Sequence, residues 1–361
     1  MNSFDWILLI VGVTIVCLML YDVFASVVLP RMAGSTLRLS VGMVRQTWYA
    51  WRTFALRIQD ADKREDFLGR FAPAMLVGLL VAWLVGLLLG YGVIFYALRV
   101  HVNPQIHTFG DAIYFAGASV LTIGYGDFVA TGFFTRMLAL GSAATGLSLF
   151  ALIISFIFSI FASFQKREVF VVMMGGRAGA PPSGVTLLET MSKNNLSDDF
   201  SKSLREAEEW SATVLESHLA YPILAYFRSS HDDESWIGTL GALLDAATMI
   251  ITLTDSPLVG QATLMHMAGT HLVRDMAHYF RISETGEIGI ERQEFDQACA
   301  TLRDAGWNVT GGDEGWERFS RYRVKYAGAL NRMARFWAIP PSRWIGDRSE
   351  IGAHALHLDA R

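Results

Sequence analysis

Three long apolar runs fill the first half of the chain, separated by short polar stretches. Positions 6–30 are apolar apart from Asp22, and positions 72–98 and 137–164 carry no charge. Each is longer than the about 20 residues an α-helix needs to cross a bilayer, so the pattern predicts three membrane spans. The first is not read as a cleaved leader, because no basic residue precedes it and the apolar run is too long. Between the second and third spans, positions 102–136 are too short and too mixed to cross. Their middle, 112–123, is apolar for about a dozen residues, which suits a re-entrant helix. Thr108-Phe109-Gly110-Asp111 reads as its capping box, with Thr108 as N-cap and Asp111 three residues on. The helix is predicted to end near Leu121. Non-helical backbone after it, at membrane depth, must be buried by protein or lined by water.

Beyond the third span the apolar runs give way to helical periodicity with charged faces. Helices are predicted at about 198–218, 235–253, 258–280, 291–305 and 314–338. Residues 175–184, with Pro181-Pro182, read as a linker, and 350–361 as a frayed tail. No strand–GxGxxG–helix unit and no internal repeat is present. The expected fold is an all-α membrane protein with a mainly helical water-exposed domain. Its parts are 1–70, a span and a basic amphipathic linker; 71–165, a pore domain; and 166–361, a helical regulatory domain.

Charge sharpens this division. Up to Ser163 there are 10 Lys/Arg and 8 Asp/Glu, and after it 20 and 26, so a net +2 part precedes a net −6 part. Arg31, Arg38, Arg45, Arg52, Arg57, Lys63, Arg64 and Arg70 crowd the loop after the first span. Basic loops stay in the cytoplasm, which places this loop and the C-terminal domain inside the cell membrane and the N-terminus outside. Arg31, Arg38, Arg45 and Arg52 recur every seven residues. On a helix they form a slowly drifting stripe, suited to anionic lipid at the inner leaflet or to packing on the C-terminal domain. Cys17 and Cys299 lie in unlike contexts and are expected to be unpaired.

The chemistry lies in Thr122-Ile123-Gly124-Tyr125-Gly126-Asp127. A potassium ion sheds its water only where oxygens replace it, and rings of backbone carbonyls do this. For the carbonyls to share one axis, the backbone must visit the left-handed region at alternate residues, where glycine sits at little cost. Gly124 and Gly126 are so spaced. Thr122 adds a hydroxyl, Tyr125 packs sideways and Asp127 charges the outer mouth. The preceding helix aims its negative end at the pore's centre. One ribbon per chain requires four chains around a cyclic axis.

TIGYGD between two spans, after a short helix, resembles the pore of the two-transmembrane potassium channels over about residues 72–164. The resemblance implies a homotetramer that conducts K+ passively, is gated by its inner helices and is modulated by its C-terminal domain. It implies K+ in a filter of Thr122, Ile123, Gly124, Tyr125 and Gly126, with no organic cofactor and no enzymatic activity. Sodium-conducting relatives disrupt the second glycine-aromatic-glycine element, which is intact here. Two features depart from the pattern. Ala118 stands where such pores often carry an acid, so Asp127 lacks a carboxyl partner; Tyr114, eight residues before Thr122, could bond it instead. The N-terminal span is also additional. No regular arginines lie within a span, so no voltage sensor is expected.

Gly146, twenty residues after Gly126, stands at the hinge position of similar channels and is read as either a hinge or a close-packing residue. Four-residue steps lead from it to Phe150, Ile154, Phe158 and Ala162, a stripe that could line the cavity and gate by dewetting. Gly86 and Gly90 read as a packing pair. Asp22, an acid inside a span, calls for a basic partner or a proton. In the C-terminal part, His271, Asp275 and His278 could share a metal ion or form a solvated face. Glu206, Glu208, Glu209 and Glu216 are acidic. Arg318, Arg321, Arg323, Lys325, Arg332 and Arg335 run without an acid and could meet them, anionic lipid or a phosphate-bearing ligand. The phrase HLAYPILAYFRS and the His271 helix are similar to C-terminal regions of uncharacterised bacterial potassium-channel-family proteins, which implies no particular ligand. Two rivals remain: the pore of a potassium uptake transporter, and a membrane-anchored enzyme.

Overall fold

The computed structural model describes residues 2–29, 39–229, 231, 233–283 and 286–346, and the chain divides into two compact units, Met1–Phe161 and Ala162–Arg361. Arg31, Arg38 and the 350–361 tail lie outside the described residues. The described part is almost wholly helical, and the chain is an all-α, multi-pass membrane protein.

In the first unit, α1 (Ser3–Val27), α4 (Phe71–Ala97) and the first part of α6 (Phe133–Ala178) are long and apolar. At 1.5 Å per residue, a 27-residue helix such as α4 is about 40 Å long, enough to cross a hydrocarbon core of about 30 Å. α2 (Leu39–Ala55) and α3 (Ala61–Gly69) lie between α1 and α4. α1 packs along α4 through small residues. A Cβ on Gly12 would lie 2.9 Å from the Gly90 carbonyl oxygen, and one on Gly90 would lie 2.8 Å from Val16 Cγ2. Gly86 is closed in the same way by Met19. Without a hydrophobic drive between helices in lipid, such backbone proximity is what holds them together.

Two polar contacts fix the pair near its ends. Asp5 is buried and takes a 2.6 Å ion pair from Arg99. Asp22 is buried without a basic partner among the described residues. Its Oδ2 accepts from the Trp83 indole at 2.7 Å, and its Oδ1 from the Ser40 hydroxyl at 3.1 Å and amide at 3.4 Å. Ser40 in turn shares a 2.9 Å hydrogen bond with Ser26. An intramembrane carboxylate is costly unless it is supplied with donors. Here those donors come from α4 and from the start of α2, so Asp22 joins three helices. The α2 side carries Trp48, packed edge-on against Phe71 at 4.9 Å, and Trp51, stacked on Phe67 at 4.6 Å.

In the second unit α7 (Gly184–Lys193), α8 (Ser197–Ala220), α10 (Val259–Phe280), α11 (Arg292–Asp304), α12 (Gly312–Arg323) and α13 (Ala327–Phe336) accompany α9 (Trp236–Leu253). α9 is long and apolar enough to cross a membrane, yet all its residues are buried, against α7, α10, α12 and α13 among others. Its Asp245 is the centre of a buried network. Arg323 Nε donates at 2.9 Å and Tyr326 at 2.5 Å to Asp245 Oδ1, while Arg323 also reaches the Ile288 and Trp344 carbonyls. The predicted 314–338 helix is broken at Val324–Tyr326, where the chain turns to place Arg323 and Tyr326 in this network. The basic run is therefore not one surface.

The predicted 175–184 linker is partly wrong. α6 continues through Gly175 and Gly176 to Ala178, and α7 begins at Gly184 on a Ser183 cap. Gly175 is needed inside the helix because a Cβ there would strike the Glu234 carboxylate.

Candidate functional site

The segment that carries Thr122–Asp127 lies between α4 and α6. α5 (Phe109–Val120) begins where the capping box places it. Thr108 Oγ1 accepts from the Asp111 amide at 3.1 Å, and Asp111 accepts from the Thr108 amide at 3.0 Å. β1 (Val102–Asn103) and β2 (Val129–Ala130) pair antiparallel, Val102 opposite Ala130, and tie the two ends of the loop together. This pairing of four residues had no legible alternation in the sequence.

The chain leaves α5 through tight bonds to its last turn: Ile123 and Gly124 amides both donate to the Ala118 carbonyl, at 2.9 and 3.2 Å. From there the backbone alternates. Thr122, Gly124 and Gly126 have φ of 54°, 63° and 80°, in or near the left-handed region that glycine tolerates. Thr122 is the one non-glycine among the three, and as such a strained residue. Residues 122–127 are exposed on the single chain, and a Cβ on Gly124 or Gly126 would touch nothing within 4 Å. The two glycines are thus demanded by backbone angle, not by crowding within the chain.

The ribbon rests on aromatic rings. Tyr125 stacks on Tyr114 at 6.3 Å, Tyr114 and Phe115 both meet Phe128, and Phe115 packs on Phe95 at 4.6 Å. The Tyr114 hydroxyl lies close enough to the Asp127 carboxylate for the two to interact. With Ala118 unable to offer a carboxyl, Tyr114, one turn earlier in α5, is the side chain set beside Asp127 at the C-terminal end of the ribbon.

α6 packs close to the Thr122 end of the ribbon. Gly146 is buried, and a Cβ there would overlap the Val120 carbonyl oxygen and lie 2.7 Å from its carbon and 3.2 Å from its Cα. α6 thus touches the backbone of α5 at Val120, next to Leu121 and Thr122. α6 passes Gly146 without a break. The residue before it, Thr145, shares a 2.8 Å hydrogen bond with Tyr91 of α4. Phe150, Ile154 and Phe158 are 46%, 57% and 71% exposed on the single chain, and Ala162 is exposed as well. The exposure rises because each four-residue step turns about 40° further from the packed face.

The remaining candidates do not assemble. His271 Nε2 and Asp275 Oδ2 pair at 3.3 Å, but no three His, Cys, Asp or Glu side chains among the described residues converge to hold a metal ion. His278 is two helical turns from His271, about 10 Å along the axis, which one ion with bonds of about 2 Å does not bridge. Sequence reasoning missed two buried centres in the second unit. In one, Arg167 donates to Glu168 at 2.8 Å, to the Leu224 and Phe227 carbonyls at 2.9 Å each, and contacts His218 Nε2 at 3.2 Å. Burial and the adjacent Arg167 hold His218 well below the usual histidine range. In the other, His266 lies against Tyr322 and Tyr326, and burial lowers it to about 4.

No curated protein and no solved structure matches the chain. Residues 83–163 match a family model described as "Ion channel". The matched stretch takes in the rest of α4 from Trp83, all of α5, the ribbon and α6 to Ser163, so the ribbon and the residues packed on it lie within the matched stretch.

Proposed function

We propose that four copies of this chain form a potassium-selective channel whose filter is the ribbon Thr122–Gly126, passing ions down their gradient without catalysis. The observation that carries this reading is the backbone alternation, with positive φ at Thr122, Gly124 and Gly126. Alternation of that kind turns successive carbonyls toward one side, and four such ribbons would give stacked oxygen rings that replace the hydration shell of K+. Asp127, beside Tyr114, would set a carboxylate at the outer mouth, where it would concentrate cations. One ribbon per chain and its open, exposed face favour a cyclic assembly.

In this reading the exposed stripe Phe150, Ile154, Phe158 and Ala162 lines the cavity and inner mouth, where an apolar ring gates by losing water. The basic loop faces the cytoplasm, with Arg45 and Arg52 of α2 beside anionic lipid, and the C-terminal unit is a cytoplasmic modulator. Cysteine placed at Lys63 should then be labelled only from inside intact cells.

Rubidium uptake into liposomes tests the reading. Gly124→Ala should abolish uptake while the protein still folds, since a left-handed angle at a non-glycine residue costs about 1 kcal/mol or more in each of four ribbons. Undiminished uptake by Gly124→Ala would remove the ribbon from the conduction path.

A further inference from the structure

The hydrogen bonds of Asp22 are satisfied, but its charge is not balanced. The residue is 1% exposed, and the groups that face it, the Trp83 indole and the Ser40 hydroxyl and amide, are all neutral donors. Trp83 stands twelve residues into α4, about 18 Å along a helix of about 40 Å, so the carboxylate lies well inside the apolar layer. Neutral dipoles lower the cost of a charge there without cancelling it. The helix ends do not cancel it either. The start of α2 offers about half a positive charge through the Ser40 amide, but the end of α1 offers about as much negative charge, and its last turn holds no basic residue. One negative charge is left over, and no basic side chain among the described residues meets it.

Two hydroxyl oxygens stand beside that charge. Asp22 Oδ1 and Ser40 Oγ are 3.1 Å apart, and Ser40 Oγ and Ser26 Oγ are 2.9 Å apart. Asp22 and Ser26 are one turn apart on α1, so the helix itself brings the first and last of these oxygens to one side. Oxygens so spaced can all touch a single small ion, and the hydroxyl hydrogens are free to turn away from it. Carboxylate and hydroxyl oxygens are hard ligands that suit hard cations. One positive charge makes the cluster neutral. A divalent ion would leave positive charge in the apolar layer, and calcium would ask for six or more oxygens. Helices that are interrupted within a membrane hold Na+ in this way, at a carboxyl end.

We propose that Asp22, Ser26 and Ser40 form a binding site for one small monovalent cation of the Na+ kind, set where α1 ends and α2 begins. The bound ion ties the start of α2 to α1, and through Trp83 to α4. No residue of the ribbon takes part, so the site does not depend on the channel reading.

Thermal unfolding of the full-length protein in detergent tests it, with Na+ exchanged for choline at constant ionic strength and K+ held constant. The melting temperature of the native chain should rise with Na+, by about 2 °C for each tenfold increase above half-saturation. Ser26→Ala takes away one oxygen and leaves the Trp83 and Ser40 bonds to Asp22 in place; it should lose most of that rise. Asp22→Asn should lose all of it, and Gly126→Ala, in the ribbon, should keep it. Radioactive sodium bound to the same samples at equilibrium should fall in the same order. If Asp22→Asn fails to fold, Ser26→Ala decides. A native chain that does not respond to Na+ overturns the site, and one that responds to acid instead makes the ligand a proton and overturns it too. A rise kept in both Ser26→Ala and Asp22→Asn would put the ion elsewhere, and a rise lost in Gly126→Ala would put it in the ribbon; either result overturns the proposal.

Discussion

Gly146→Ala adds one methyl group where α6 crosses the end of the pore helix, and the structure fixes what that methyl meets. It would overlap the Val120 carbonyl oxygen and stand 2.7 Å from the carbonyl carbon. Both neighbours are backbone, so no side chain can swing aside. Either α6 or the end of α5 must move, and overpacking of this sort costs about 1–3 kcal/mol. In a tetramer the cost recurs in every chain. Its direction also matters: Val120 is followed directly by Leu121 and Thr122, so displacement of α5 is passed to the Thr122 end of the ribbon. Gly141, five residues earlier on the same helix, has nothing within 4 Å of a would-be Cβ. Gly141→Ala should therefore be harmless, or stabilising by about 0.5–1 kcal/mol through helix propensity. The assay pairs rubidium uptake in liposomes with the temperature at which the tetramer dissociates in K+. Gly146→Ala should lose uptake and dissociate at lower temperature, and Gly141→Ala should do neither. If Gly146→Ala lost uptake but kept native dissociation, the residue would act as a hinge and the packing argument would fail.

Three further outcomes follow from the buried polar groups. Trp83→Phe keeps the ring but removes the indole donor to Asp22, and should destabilise the full chain in detergent by about 1–3 kcal/mol; Trp83→Phe in an Asp22→Leu background should cost far less, and equal losses would mean that the Trp83–Asp22 bond is not what matters. Arg323→Met removes the cationic partner of buried Asp245 and should cost about 3–5 kcal/mol in thermal unfolding, with part of it recovered in the Asp245→Leu, Arg323→Met double variant. His266 falls from its ordinary 6.5 to about 4 in the folded protein, so the unfolded chain takes a proton that the folded chain refuses. That stabilisation is complete above pH 6.5 and is lost as pH falls toward 4, amounting to about 3 kcal/mol. The fall in melting temperature between pH 7.5 and 5 should shrink in His266→Gln, and an unaltered fall would refute the assignment.

Features encoded by local periodicity were legible in the sequence. The spans follow from uninterrupted apolar runs, and the pore helix from Thr108 and Asp111, whose two reciprocal bonds need only a four-residue window. The glycine alternation at 124 and 126 is likewise local. The features that escaped depend on residues far apart in the chain. Asp22 finds its indole donor 61 residues away and its hydroxyl donor 18 residues away, and no spacing rule encodes either. Gly175-Gly176 reads as a helix end, yet the helix continues because Glu234 packs where a side chain would be. Arg323 belongs to a run of surface-like basic residues and turns inward only because Asp245, on another helix, is buried opposite. Four-residue steps from Gly146 also begin on the packed face and end on the exposed one, because each step turns about 40° further round the helix. A single-interval rule hides that difference, and the exposure of each residue reveals it.

The central claim is that the ribbon selects K+ by replacing its water with carbonyl oxygens. The most direct test is the reversal potential of the purified full-length protein in a planar bilayer with K+ on one side and Na+ on the other. The account predicts a potential near the K+ equilibrium value, retained when Rb+ replaces K+ and lost in Gly126→Ala. A reversal potential near zero, with Na+ carrying current as readily as K+, would contradict it.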